Sequence, residues 1–372
     1  MKKVLFVASV VKTHIMTFHV PYLKWFKEHG FETHVCARND YDDPTDCVIP
    51  FCDKFFDFPF ERSPFKIANL MVYKHLKHLI ETNKYDIIHC HTPVASVLTR
   101  LAARKVRKTG TKVLYTAHGF HFYKGAPLLN WLLYYPVERW MARYTDVLIT
   151  INQEDYEIAK TFKAGKIEYV PGVGIDTQKF SKVVVDKIAK RKELGVPADA
   201  FLLLSVGELN KNKNHETIIK ALAKLKNPKI FYLICGRGSY ENKLKDLSKK
   251  LGLENQVILL GYRSDVAEIY RIVDLFLFPS HREGLPVSLM EAMASGIPIV
   301  CSDIRGNKDL INNDYGGYLV KPNDINGFTM AIKRLYQDAT LRVEMARYNQ
   351  EKIWEFDLEN IKELTQEIYL NL

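Results

Sequence analysis

The 372-residue sequence predicts an α/β protein of two doubly wound, Rossmann-like domains, each a parallel sheet layered with helices. Three observations predict it. Short runs rich in β-branched and aromatic residues alternate with amphipathic helical segments along the whole length, which is the rhythm of strand–crossover–strand units. That rhythm lapses once, in the polar, turn-rich stretch GVGIDTQKFSKVVVD (172–186), and then restarts. The length also exceeds the ~100–200 residues usual for a single domain.

In order, the first half offers strands at KVLFVAS (3–9), ETHVCAR (32–38), DIIHCHT (86–92), KVLYTAH (112–118), DVLITIN (146–152) and KIEYVP (166–171), with amphipathic helices at 18–29, 67–81 and 94–107. The second half offers FLLLSVG (201–207), KIFYLICG (229–236), QVILLG (256–261), DLFLFPS (274–280), IPIVCSD (297–303) and GYLVK (317–321). Several runs are almost continuously apolar, as strands covered on both faces must be. The expected organisation is a first domain over 1–180, a second over 181–340, and C-terminal helices over 341–372 that pack back on the first. Ligands of such sheets sit beyond the carboxyl ends of the strands, so two facing domains would hold a ligand in the cleft between them.

Composition narrows the function. Apolar residues at 47% and charged residues at 26% are the balance of a soluble globular protein. The six cysteines are scattered without ligand spacing, which points to reduced thiols and to no metal site. Lys2 and Lys3 precede only a short apolar run with no cleavage site, and no apolar stretch reaches the ~20 residues of a membrane span; a cytoplasmic protein is expected. The net charge of +10 is uneven: residues 1–180 carry 25 Lys+Arg against 18 Asp+Glu, and residues 181–372 carry 28 against 25. The first half therefore suits an anionic partner. Nucleic acid is not expected, because no helix-turn-helix, zinc or RNA-binding signature accompanies the charge. No G-x-G-x-x-G opens a helix after a strand, which argues against a dinucleotide dehydrogenase.

The chemistry concentrates in FPSHREGLPVSLMEAMASG (278–296). A strand ends at Ser280, Glu283 and Gly284 form a tight loop, Pro286 suits the first helical turn, and Gly296 closes the helix. Glu291 lies about five residues into the helix, from where it can point back toward the loop of Glu283. A helix start preceded by glycine offers amides and a positive dipole end to phosphate. Carboxylates on either side can accept hydrogen bonds from vicinal hydroxyls, at roughly 1.5–3 kcal/mol each. Such a site fits a diphosphate bearing two sugars.

EGLPVSLMEAMASGIPIV resembles the Glu-x7-Glu donor motif of glycosyltransferase family 4, retaining enzymes of GT-B architecture. The likeness extends to VPGVGIDTQKF (170–180), SVGELNKNKNHETIIKAL (205–222), CGRGSYENKL (235–244) and GYRSDVAEIYRIVDLFLFPS (261–280). The resemblance implies that Glu291 binds the ribose hydroxyls, Glu283 holds the donor hexose, and Gly284 and Leu285 offer backbone contacts near the diphosphate. Lys213 matches the family's diphosphate-binding lysine, and His118 the histidine that reaches the donor sugar. Two departures stand out. Glu208 occupies the position of the family's usual arginine, leaving Arg237, Arg263 and Arg282 as candidate replacements. The loop after the first strand, SVVKTHIMTFHVP, lacks the usual Gly-Gly pair.

The first half also resembles bacterial exopolysaccharide- and capsule-assembly transferases, in THIMTFHVPYLKWFKEHGFE and YTAHGFHFYKGAPLLNWLLYYPVERW. These extend sugars on a polyprenyl-diphosphate carrier at the cytoplasmic face of the membrane. The implied donor is a nucleotide sugar, with UDP-hexose or UDP-N-acetylhexosamine first by analogy, and the implied acceptor is lipid-linked. The basic cluster Arg100, Arg104, Lys105, Arg107 and Lys108 and the aromatic–basic segment 119–144 fit a peripheral contact with the inner membrane surface. Asp40-Tyr41-Asp42 has the form of a metal–diphosphate triplet but lies outside the donor domain, so neither a metal nor another cofactor is expected. The alternative on the same two-domain plan is a sugar-nucleotide 2-epimerase.

Overall fold

The computed structural model describes residues 1–61 and 63–372. They form two compact units, Met1–Val173 with Ile361–Leu372, and Gly174–Asn360. The division thus falls at Val173/Gly174 rather than at 180. Of the C-terminal helices, Ala339–Lys352 lies in the second unit and most of Leu358–Leu370 in the first.

The first unit carries β1 (Lys3–Val10), β2 (Glu32–Arg38), β3 (Lys54–Asp57), β4 (Ile87–His91), β5 (Lys112–Ala117), β6 (Val147–Thr150) and β7 (Lys166–Tyr169). They run in the order β3-β2-β1-β4-β5-β6-β7, with every neighbouring pair parallel. Alternate side chains of β1 enter two cores: Leu5 and Val7 pack on one face, Val4, Phe6 and Ala8 on the other. Ile361, Ile368 and Tyr369 of the last helix close the second of these cores. Lys54–Asp57 has no counterpart among the strands expected from sequence. It is a four-residue edge strand with no buried residue, so it lacks the apolar run that reveals its neighbours.

The second unit carries β8 (Phe201–Val206), β9 (Ile230–Cys235), β10 (Val257–Gly261), β11 (Leu275–Phe278), β12 (Ile299–Ser302) and β13 (Gly317–Val320), ordered β10-β9-β8-β11-β12-β13 and again wholly parallel. In both sheets the chain winds outward from a central strand and then crosses to its other side. The reversals fall between β1 and β4 and between β8 and β11, and the crevices beyond those strand ends are where such sheets bind ligands. All six cysteines are free thiols; Cys36, Cys90, Cys235 and Cys301 are buried.

Candidate functional site

The second unit builds its site at its reversal. After β11 the chain loops through Glu283 and Gly284, and the helix Val287–Ala294 begins. Pro286 is the residue flanking that helix, one position earlier than expected. Gly296, at φ +70°, ends it with paired bonds from Gly296 N to the Met293 carbonyl and from Ile297 N to the Ala292 carbonyl. This is the left-handed C-terminal cap that glycine accommodates. Three contacts fix the loop before the helix. His281 N donates to the Asn212 carbonyl at 2.8 Å, Asn212 Nδ2 to the Arg282 carbonyl at 2.9 Å, and buried Arg305 Nε to the Glu283 carbonyl at 3.2 Å. A side chain at Gly306 would come within 2.1 Å of the Gly284 carbonyl oxygen, so only glycine lets these loops approach.

Glu283 and Lys213, predicted from separate motifs, meet in this structure: Lys213 Nζ lies 2.8 Å from Glu283 Oε1 and 4.6 Å above the Phe278 ring. Both side chains are mostly buried. Glu291 is placed differently. It lines a cleft of about 580 Å³ with Lys179, Glu208, Arg237, Tyr262 and Arg263, to which Glu283 and Lys213 do not contribute lining atoms. The Tyr270 hydroxyl donates to Glu291 Oε2 and to the Ser288 carbonyl, each at 3.0 Å. Burial raises the Glu291 carboxyl to about 7, against the smaller downward pulls of Tyr270 and Lys179.

The three candidate arginines differ sharply. Arg263 lines the cleft, but its guanidinium is committed to Asp265 (2.7 and 2.5 Å) and Glu193 (2.6 Å), and these partners hold its pKa above the ordinary value. Arg282 is exposed and outside the cleft lining. Arg237 lines the cleft, and its side chain makes no hydrogen bond or ion pair among the described residues. Glycines set its position, because a side chain at Gly236 or Gly238 would strike the Gly207 or Leu209 carbonyl oxygen at 1.9 and 2.3 Å. The exposed Glu208 shares this cleft. Lys179, Tyr270 and Arg305 escaped the sequence reading. Lys179 and Tyr270 lie within segments quoted as similar to the family, 170–180 and 261–280, but nothing in the sequence marks Arg305.

In the first unit His118 follows β5 at the reversal, half-buried, with Nε2 3.4 Å from His91 Nδ1. Four more histidines lie nearby, and the rings of His14, His19 and His91 touch its own. His14 and His19 come from the loop after β1, which forms a π-helical turn in which Met16 N–H reaches back to the Val11 carbonyl. This turn occupies the place of the missing glycine pair. His89 and His91 alternate on β4 and so share one face. Burial lowers the pKa of His118, His91 and His19 well below the ordinary value, with repulsion from neighbouring histidines adding to it, and burial alone lowers that of His14 to about 4, so all are neutral at pH 7. Asp40 serves the local fold: its Oδ1 accepts from Lys12 N at 2.6 Å and anchors the π turn.

The basic cluster needs correction. Arg100 is fully buried, bonded to Glu138 Oε2 at 2.9 Å and stacked 4.1 Å over the Tyr115 ring, because a charge inside the fold must be paired. Arg107 is held by Asp146 at 2.9 Å, leaving Arg104, Lys105 and Lys108 exposed. Segment 119–144 contains the helix Leu128–Met141, whose inner face packs Trp131, Tyr134 and Tyr135 on the core. Its outer face exposes Leu128, Leu129, Leu132, Leu133, Val137 and Trp140. A row of exposed large apolar side chains on one helix face is unusual for a surface that meets only water. Phe65, Ile67, Leu70 and Met71 are likewise exposed at and before the start of the helix Ala68–Asn83. Among the described residues no helix is long and apolar enough to cross a membrane.

Residues 22–179 match Glycosyltransferase Family 4 and residues 186–352 match Glycosyl transferases group 1. EpsD of Bacillus subtilis (strain 168), a protein assigned as a glycosyltransferase, is 44% identical over 345 residues, covering 91% of this chain and 89% of that one. The UDP-Gal:alpha-D-GlcNAc-diphosphoundecaprenol alpha-1,3-galactosyltransferase of Escherichia coli is 30% identical over 323 residues, 83% of each chain. Among solved structures, Anabaena Alr3699/HepE in complex with UDP and glucose superposes with a TM-score of 0.82 over 100% of both chains at 22% identity.

Proposed function

Because the chain belongs to the glycosyltransferases that join a Family 4 domain to a group 1 domain, we propose that it moves a hexose or N-acetylhexosamine from a UDP-sugar, with retention of configuration, to a lipid-linked sugar acceptor in exopolysaccharide or capsule assembly. The observation that carries the reading is the second unit's reversal, where Lys213–Glu283 and the cleft of Glu291 and Arg237 gather the groups a sugar diphosphate needs. The galactosyltransferase relative, with a UDP donor and a diphosphoundecaprenol acceptor, supports the choice of both substrates. No observation favours the epimerase alternative.

In this reading Glu291 accepts the ribose hydroxyls and Glu283 the hydroxyls of the hexose. Gly284, Leu285 and the first helical amides, which have no acceptor inside their own helix, face the diphosphate. Lys213 and Arg237 neutralise it as it leaves, Arg237 taking the part that Glu208 cannot, while Arg263 and Arg282 fall behind it. His118 keeps its part in positioning the transferring hexose. Two cations and a helix start supply the leaving group's stabilisation without a divalent ion. The apolar row on Leu128–Met141, flanked by exposed Lys124, Arg139 and Arg143, would rest in the headgroups of the inner membrane face, where the acceptor's lipid lies. Turnover of a panel of UDP-sugars with a polyprenyl-diphosphate-linked N-acetylhexosamine, followed by NMR of the product anomeric signal, tests the whole reading. Transfer with inverted configuration, or turnover of the UDP-sugar to an epimer without acceptor, would overturn it.

A further inference from the structure

Four histidines of the first unit, His14, His19, His91 and His118, each offer one ring nitrogen such that all four nitrogens lie within 4.8 Å of one another. They come from the carboxyl ends of β1, β4 and β5, at the sheet's reversal. From this convergence we infer a metal site: a late first-row divalent ion, Zn²⁺ in the first place, bound tetrahedrally by these four imidazoles.

The geometry is close to what the ion requires. Zn–N bonds of ~2.0–2.1 Å to tetrahedral corners space the nitrogens by about 3.3 Å. His118 Nε2 and His91 Nδ1 already stand 3.4 Å apart, and no two of the four ligand nitrogens are more than 4.8 Å apart. A small cavity of about 30 Å³, the size of a single water, opens beside His19, His91 and His118. The hydrogen bonding separates ligands from bystanders. His89, on the same face of the same strand, has both ring nitrogens bonded, Nδ1 to the Tyr369 hydroxyl at 2.7 Å and Nε2 to the Thr116 hydroxyl at 2.8 Å, and is no ligand. By contrast both nitrogens of His19, and Nε2 of His14 and of His91, are buried with no partner among the described residues. Leaving such groups unpaired is costly, and a shared ion would give His14 and His19 one partner each. Neutral imidazoles need lose no proton to bind. Imidazole ligands select Zn²⁺, Cu²⁺ or Ni²⁺ rather than Mg²⁺.

The consequence for turnover rests on the proposed role of His118: a nitrogen held by the ion cannot serve the donor hexose, so an occupied site should lower the transfer rate. The test uses the full chain, freed of any purification tag, stripped with EDTA and titrated with Co²⁺. We expect one equivalent to bind with the visible absorption of a tetrahedral site and Zn²⁺ to displace it. His14→Gln, at the half-buried edge of the cluster, should weaken binding at least about 100-fold, since even outer-shell changes cost 10- to 100-fold. His75→Gln, at an exposed histidine elsewhere, should not. X-ray absorption of the zinc-loaded wild type counts the imidazoles without any variant. Absence of Co²⁺ uptake, uptake unchanged by His14→Gln, or sulfur or carboxylate ligation would overturn the site. Four imidazoles with turnover unaffected by zinc would uphold the site and refute the donor role of His118 instead.

Discussion

Titrating Glu291 exposes the donor reading to a direct measurement. Burial moves its carboxyl from 4.5 to about 7, and the Tyr270 hydroxyl and Lys179 only partly offset the shift. At ~1.36 kcal/mol per unit, the ligand-free fold favours the protonated acid by about 3 kcal/mol. The sign follows from proton linkage. An acid whose pKa is raised on folding contributes stability that is complete below 4.5 and is lost as pH rises through about 7. Binding runs the other way, because only the carboxylate accepts charged hydrogen bonds from two ribose hydroxyls. It is about 90% ionised at pH 8 and about 10% at pH 6, so affinity for a UDP-sugar should weaken about tenfold between them. Glu291→Gln should lie about 10- to 150-fold weaker at pH 8, equivalent to 1.5–3 kcal/mol, and its profile should be flat. The same variant should melt higher than wild type at pH 8 without ligand, since it buries no charge. Calorimetric titration with UDP-glucose or UDP-N-acetylglucosamine reads all of this; UDP itself is unsuitable because its terminal phosphate titrates near pH 6. A wild-type affinity that does not change from pH 6 to 8, or an equal slope in Glu291→Gln, would remove Glu291 from the ribose.

Glu283→Gln should lower kcat at least about tenfold while UDP affinity holds or rises, because it frees Lys213; a collapse of UDP affinity with kcat intact would exchange the roles of the two glutamates. Arg237→Ala should weaken UDP-sugar binding about tenfold or more, the loss of a charged hydrogen bond, whereas Arg263→Ala should lower the melting temperature with little change in affinity; the reverse pattern would make Arg263 the diphosphate arginine. Turnover should survive EDTA, and its loss with restoration by Mn²⁺ or Mg²⁺ would contradict a cation-free diphosphate site. In liposome co-sedimentation the protein should bind anionic vesicles at low salt and release at high salt, and both Leu129→Asp/Leu132→Asp and charge reversal of Arg104, Lys105 and Lys108 should weaken it; indifference of the wild type would make the acceptor surface something other than a membrane.

What the sequence revealed follows from how local each signal is. Most strands are covered on both faces and betray themselves as apolar runs; twelve could be read, the edge strand Lys166–Tyr169 among them although it too has no buried residue, whereas Lys54–Asp57 at the opposite edge could not. The loop of Glu283 and the helix after it were legible because glycine, proline and two glutamates lie within twenty residues. Chemistry assembled across the chain was not. Nothing in residues 100–108 says that Arg100 turns inward to Glu138, which is 38 residues away. Nothing in residues 235–265 says that Arg263 is spent on Asp265 and Glu193 while Arg237 is left unpaired. The histidines were each visible, and the H-C-H alternation at 89–91 even marks a shared face, but their convergence depends on β1, β4 and β5 lying side by side.

The pairing of Lys213 with Glu283 also bears on the order of events in the proposed reaction. At rest the ammonium is held by a single carboxylate at 2.8 Å, in a mostly buried setting where neither charge is well hydrated. A diphosphate brings two charges to the same ammonium, and at equal distance and dielectric its attraction is about double. Arrival of the nucleotide diphosphate would therefore take Lys213 from Glu283. The released carboxylate, still buried, then needs new donors, and the hydroxyls of the attached hexose are the ones that arrive with the same ligand. A nucleoside diphosphate without its sugar strips Glu283 of its partner and offers nothing in exchange. The intact donor should accordingly bind more tightly than UDP in the wild type, and that preference should shrink in Glu283→Gln, where no stranded charge remains. An unchanged preference in the variant would show that the resting ion pair has no part in recognising the sugar.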